Sequence, residues 1–341
     1  MAPQIPLGKT ATRLEAGRGV PRTPLIAKDC RIFTVPFPEN AVRLLETGIP
    51  IAELKKAMFI GRSFALLLIG FVLIWHSCVS THAQAAPARK EFPPGAVHQS
   101  QDLPPGRLRT QIERLPAGAR NRAVAWLGNF HFTEHDLATL QVDAAGGIFY
   151  ADDFQLAPVA PAASEPVVAA AALPVSPFPA NLIFHSKPGA PNVIFLNFAG
   201  ETVQNTAWNT SISRSVISAV AYSSDADRTT FSDAEQLSIR RIWQRVAEDY
   251  SAFNVDVTTE RPATFNIRTA EAVITRNTDA SGQPNPSSTA GGVSYVGAFA
   301  TSTYASYRPA WIYDNNLAGE ESYIGEATAH EIGHNMGLSH D

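Results

Sequence analysis

The order of apolar and polar positions divides the chain into stretches of different character. Residues 1–57 scatter Pro and Arg without a sustained apolar period, and then Phe64–Trp75 forms an apolar run of twelve residues. From Arg107 to Leu127 leucines and alanines fall on a loose helical period, and Ile148–Tyr150 is short and apolar enough for a strand. Asn192–Phe198 is an apolar run of strand length bounded by Pro191 and Ala199-Gly200. Ser232 and Glu235 have capping-box spacing, and Ile239, Ile242, Trp243, Val246 and Tyr250 follow on one helical face, which predicts a helix packed on a sheet. Phe253–Thr259, Ala272–Thr275 and Ala310–Tyr313 read as further strands, and the Asn, Ser, Pro and Gly of Asn277–Thr289 as an exposed loop. Strands interleaved with helices give an α/β (α+β) fold class.

The first apolar run belongs to a leader. Met58 to Arg62, the run itself and a polar stretch ending in Ala83-Gln84-Ala85 have the three parts of a secretory signal peptide, with cleavage expected after Ala85. Twelve residues fall short of the ~20 that a membrane helix needs. The alternative is an uncleaved anchor through residues 63–76, since no charge occurs between Arg62 and Arg89. Lipidation at Cys78 is disfavoured by the bulky Trp75-His76-Ser77 before it. A signal peptide belongs at an N-terminus, so Met58 is the expected start, and residues 1–57 are expected to be a spurious extension. Residues 86–156 are then either a pro-region folded against the main domain or a spacer module. Residues 157–180 hold nine Ala and six Pro and read as a semi-rigid linker open to a processing protease. The main domain is expected at 181–341.

Charge sharpens this division. Residues 181–341 carry 10 basic and 17 acidic side chains, a net of −7, with no basic stripe, which argues against a nucleic-acid partner. Both cysteines, Cys30 and Cys78, precede the expected mature chain, which must be stabilised by packing without disulfides. His131 and His135 are four apart, but no Glu follows the first directly and no third histidine follows the second, so they read as surface or core residues.

The chemistry is concentrated in the last twelve residues, His330-Glu331-Ile332-Gly333-His334-Asn335-Met336-Gly337-Leu338-Ser339-His340-Asp341. Two histidines four apart on a helix share a face and can reach one metal ion. Glu331 lies where its carboxylate reaches a water on the metal, the position of a general base. Gly337 lets the backbone leave the helix in a left-handed conformation, so that His340 can return as third ligand. Three neutral imidazoles leave the fourth position of a tetrahedral zinc open to water. Glu320 and Glu321 are expected to favour the positive end of this helix's dipole, and no role is assigned to Glu326.

The spacing His-Glu-x-x-His-x-x-Gly-x-x-His-Asp resembles the zinc signature of the metzincin metallopeptidases, and Asp341 resembles the reprolysin (adamalysin) branch. Six fixed positions make a chance match on the order of one in 10⁵. Gly292-Val293-Ser294-Tyr295-Val296-Gly297 is similar to the Gly-x-Ala-Tyr-Val-Gly stretch of reprolysins, with Ser294 in place of Ala. The resemblance implies that residues 292–296 form an antiparallel edge strand above the cleft, where an extended peptide adds as a further strand; a buried strand with glycine breaks is the alternative. It also implies a twisted mixed sheet with a packed helix and an active-site helix. The Met-containing turn of metzincins lies beyond the third histidine. Met1, Met58 and Met336 cannot supply it, so the chain is expected to be truncated after Asp341 with the lower subdomain missing.

Residue chemistry and resemblance together imply a secreted, monomeric zinc endopeptidase acting on proteins or peptides, without stable membrane association once the leader is cleaved. Its ligands would be His330, His334 and His340, its base Glu331, and Gly337 and Asp341 its structural turn. The rival readings are an inactive exported or binding domain with an incomplete zinc site, and a structural zinc protein with Asp341 as fourth ligand.

Overall fold

A computed structural model describes residues 90–154, 175–225 and 227–340. The expected leader at 58–85, the extension 1–57, both cysteines, residues 157–174 and Asp341 lie outside the described residues.

The N-terminal segment runs through β1 (Glu91–Phe92), α1 (Arg107–Arg114), α2 (Ala117–Leu127), β2 (Phe132–Thr133), β3 (Leu140–Val142) and β4 (Ile148–Asp152). The single helical period of Arg107–Leu127 becomes two helices, because Leu115 is extended (φ −68°, ψ 151°) ahead of Pro116. Proline has no N–H to continue the ladder and disfavours helical geometry in the residue before it. Phe92, Leu108, Ile112, Leu127, Phe132, Leu140, Ile148 and Tyr150 pack into one apolar cluster that also takes in Val296 from the rest of the chain.

Beyond residue 175 the main elements, besides short helical turns, are β5 (Asn192–Asn197), β6 (Glu201–Gln204), β7 (Val216–Ala219), α3 (Asp233–Asp249), β8 (Val255–Thr258), β9 (Thr269–Thr275), β10 (Gly292–Tyr295), β11 (Ala310–Tyr313) and α4 (Glu321–Asn335). Packing starts before the expected boundary at 181. Val175 N–H donates to Ala199 O at 2.8 Å, and the Phe178 ring meets Phe231 edge-on. The hairpin of β6 and β7 has no strong signature in the sequence; it is short, and its inward residues are chiefly Val203 and Ile217.

The central sheet has seven strands in the order β3-β4-β10-β11-β9-β5-β8. Strands β8, β5, β9 and β11 are parallel, and β10, β4 and β3 join through antiparallel pairs. All of β9 and β11 is buried, as parallel strands covered on both faces require. Helix α3 starts at its capping box: Glu235 Oε2 accepts from Ser232 N–H at 2.8 Å, and Ser232 Oγ accepts from Glu235 N–H at 3.4 Å. Ile239, Ile242 and Val246 are buried, and Trp243 Nε1 donates to Val257 O at 2.8 Å, so the helix lies on the sheet as its apolar face predicts.

Helix α4 is buried along much of its length between α3 and the sheet. Gly325 permits the close helix approach, since a Cβ there would stand 2.9 Å from Arg245 Cδ. Glu321 pairs with Arg241 at 2.9 Å, and Glu326 faces solvent. One expectation is corrected. Gly292–Tyr295 is not an edge strand in this structure: β11 pairs with one side, and the other is taken by β4, leaving β3 outermost. The edge is covered because the N-terminal segment contributes strands of its own, the usual way of satisfying exposed backbone groups.

Candidate metal centre

Helix α4 ends in a turn that redirects the chain. Gly337 adopts φ +93°, its N–H donates to His334 O at 2.9 Å, and Leu338 N–H donates to Gly333 O at 3.0 Å. These two bonds make a Schellman motif, in which a glycine accepts the left-handed position. The chain then runs back across the helix face, and His340 returns beside His330 and His334.

The three rings converge through one nitrogen each. His330 Nε2 lies 2.8 Å from His334 Nε2 and 3.1 Å from His340 Nε2. A fourth group, absent from the sequence expectations, completes the cluster. Asp152, at the end of β4, places Oδ2 at 3.0 Å from His334 Nε2 and 3.3 Å from His330 Nε2, with Oδ1 3.5 Å from His340 Nε2. A tetrahedral zinc with bonds of about 2.0–2.1 Å has ligand-to-ligand edges of about 3.3 Å, and the separations of 2.8–3.3 Å from His330 to His334, from His330 to His340 and from Asp152 Oδ2 to His330 and His334 are of that order.

Tautomers support the same use of the rings. His334 Nδ1 lies 2.8 Å from Leu338 O, and His340 Nδ1 lies 2.9 Å from Asp136 Oδ1. Each is a natural acceptor for an Nδ1–H, which leaves the Nε2 lone pair directed at the cluster. Asp136 is fully buried and heavily used: Tyr150 Oη donates to it at 2.7 Å, Thr133 N–H at 2.6 Å and His340 N–H at 3.1 Å. The Tyr150 ring stacks on His334 at 3.9 Å, and Phe154 meets His330 edge-on at 5.3 Å. Asp136 and Tyr150 were likewise not foreseen, and no local pattern marks them.

Electrostatics separates the two buried carboxylates. Burial opposes charge on Asp152, but the facing rings of His330 and His334 outweigh it and hold the carboxyl well below the usual range. Burial, reinforced by the charge on Asp152, pushes Glu331 well above its ordinary value. Burial lowers His334; His340 is also penalised by burial, yet the carboxylates of Asp136 and Asp152 raise it to about 10. Asp152 Oδ1 and Glu331 Oε1 are buried without hydrogen-bond partners. Orphaned oxygens beside converging ring nitrogens are what a cation and its water would satisfy.

Glu331 is placed by β10. Ser294 Oγ donates to Glu331 Oε2 at 2.6 Å, while Gly292 makes room for the carboxylate: a Cβ there would stand 2.4 Å from Oε1. The other residues expected to meet a substrate are buried too. Val293 lies in the core; Tyr295 Oη donates to Asp143 Oδ2 at 2.7 Å; Val296 O accepts from Trp126 Nε1 at 2.9 Å. His135 is exposed, with its ring 6.3 Å from that of His340, and His131 is exposed beside Glu91. The group Asp152, His330, His334 and His340 can hold one metal ion.

Residues 201–341 match the family described as metallo-peptidase family M12B, reprolysin-like. No curated protein and no solved structure gives a match. No helix among the described residues is long and apolar enough to cross a membrane.

Proposed function

Residues 201–341 belong to the reprolysin-like M12B metallopeptidases, by family zinc metalloendopeptidases, and from that premise we propose that this protein is a secreted endopeptidase that binds zinc through His330, His334 and His340 and uses Glu331 as its general base. The carrying observation is the convergence of three Nε2 atoms within 4.8 Å of one another, with Glu331, next to His330 in the helix, keeping a buried carboxylate oxygen without a partner. When bound, zinc supplies Lewis acidity for the scissile carbonyl and lowers the pKa of water toward ~7.

The chain's own residues carry the remaining work. Glu331 takes a proton from the attacking water and later delivers it to the leaving amine nitrogen. A carboxyl whose pKa is raised by burial suits that exchange, because it can hold the proton between the two steps. Ser294 fixes Glu331 Oε2 and leaves Oε1 without a protein partner, free to take the proton. The backbone of Gly292–Val296 receives an extended peptide as an added strand once that side of β10 is free. Export through a signal peptide at 58–85, a monomeric state, and Asp341 as part of the turn with Gly337 complete the reading.

Metal analysis tests it. One zinc per chain is expected in the wild type and in Glu331→Gln, and less than a tenth of that in the double variant His334→Ala/His340→Ala. Equal zinc in the double variant would overturn the ligand assignment.

A further inference from the structure

We propose that the segment Leu140–Asp152 holds this enzyme latent, its strand β4 lying along β10 as an internal stand-in for a peptide and placing the Asp152 carboxylate on the metal as fourth ligand. The inference rests on the zinc-peptidase reading above, and assigns to the segment the place where substrate and water would meet.

The first support is the backbone. Strand β4 pairs with β10 in antiparallel register, with Asp152 opposite Gly292, Ala151 opposite Val293, Tyr150 opposite Ser294 and Phe149 opposite Tyr295. The contact continues beyond both ends: Val296 N–H donates to Ile148 O at 3.1 Å, and Gly291 N–H donates to Asp152 O at 2.8 Å. An extended substrate using the same backbone groups cannot be present at the same time.

The second support is the side chain at the end of that strand. Asp152 Oδ2 lies 3.0 Å from His334 Nε2 and 3.3 Å from His330 Nε2, and its Oδ1 lies 3.5 Å from His340 Nε2, so the carboxylate faces all three rings at separations of the order of a zinc ligand shell. Its Oδ1 has no hydrogen-bond partner, a buried orphan that a cation between the rings would satisfy. A site with four protein ligands is closed, whereas a hydrolytic zinc site keeps one position for water. No cysteine follows Cys78, and Asp152 is the only acidic member of the metal cluster found among the described residues.

The third support is that neighbouring residues of the segment fit the site closely. Tyr150 stacks on His334, and Asp136 orients His340 through Nδ1. A spacer module would have no need of three separate contacts to the zinc-binding rings. A pro-region that must keep water and substrate away from the metal does.

The test uses the whole chain loaded with Co²⁺ as a spectroscopic substitute for zinc, and acetohydroxamate as a small probe that needs a vacant coordination position. In the wild type, millimolar acetohydroxamate is expected to leave the visible absorption bands unchanged. In Asp152→Asn, which keeps the shape of the side chain but supplies a poor ligand, the bands should shift at a probe concentration at least 100-fold lower. Asp152→Ala repeats the measurement with no ligand atom at all and should behave the same way, with circular dichroism confirming that each variant is folded. If wild type and both variants respond at the same concentration, Asp152 does not close the site and the proposal falls. Failure of the wild type to bind Co²⁺ or Zn²⁺ at all would instead remove the zinc reading on which the proposal stands.

Discussion

Ser294 Oγ donates a 2.6 Å hydrogen bond to Glu331 Oε2, and the same carboxylate lies under the bare Cα of Gly292. The strand above the zinc helix thus fixes the proposed base in position and leaves it just enough room. A Cβ at residue 292 would come within 2.4 Å of Oε1 and 2.5 Å of Cγ. Gly292→Ala must therefore push the Glu331 carboxylate or shift β10. Misplacement of a reacting group by about 1 Å can cost 10²-fold in rate. Peptide hydrolysis by the competent form of the enzyme is expected to fall at least 100-fold while zinc content stays at the wild-type level. Ser294→Ala removes one hydrogen bond without a clash, and the reprolysin pattern has Ala at this position, so its activity should stay within about tenfold. Equal activity in Gly292→Ala and the wild type would show that Glu331 is not confined by this strand.

Glu331 also allows proton transfer to be separated from metal binding. Its side chain is not a member of the four-residue cluster around the ring nitrogens. Glu331→Gln preserves shape and the Ser294 contact but cannot accept a proton, so kcat should drop 10²–10⁴-fold with zinc retained. Zinc lost along with activity would make Glu331 a ligand or a structural support, and the proposed mechanism would need another base.

How far each feature can be read from the sequence depends on how local it is. Helix α3 is legible because Ser232, Glu235 and the apolar positions from Ile239 to Val246 all act within one element. The turn after α4 is legible because Gly337 and the helix end it caps are adjacent in sequence. The three histidines fall within eleven residues, so their spacing carries their geometry. Asp152 and Asp136 are hidden for the opposite reason. They reach His334 and His340 from 182 and 204 positions away, and only the pairing of β4 with β10 brings them there. Reading residues 292–296 as an edge strand failed in the same way. The motif describes the strand, but whether its outer side is free depends on a partner far upstream.

The contact between Asp136 and His340 yields the last prediction, concerning metal affinity. A histidine ligand whose second nitrogen is held by a carboxylate is oriented and made more basic, and loss of such a partner typically costs 10–100-fold in affinity. Asp136 Oδ1 fills that position at 2.9 Å from Nδ1, while Oδ2 accepts from Thr133 N–H and Oγ1. In Asp136→Asn one oxygen becomes an NH₂ group. Facing Thr133, it opposes a backbone N–H; facing His340, it opposes the Nδ1–H. Either orientation leaves a buried donor without an acceptor, at a cost of roughly 1–3 kcal/mol in folding stability. Zinc affinity of the intact chain, measured by competition with a chelator, is expected to fall about 10–100-fold, and the unfolding temperature should fall with it. Conservative exchange at an exposed position such as Glu134→Gln, two residues away, should change neither. Unchanged zinc affinity in Asp136→Asn, with the stability loss present, would show that Asp136 serves the packing of the N-terminal segment and has no part in orienting His340.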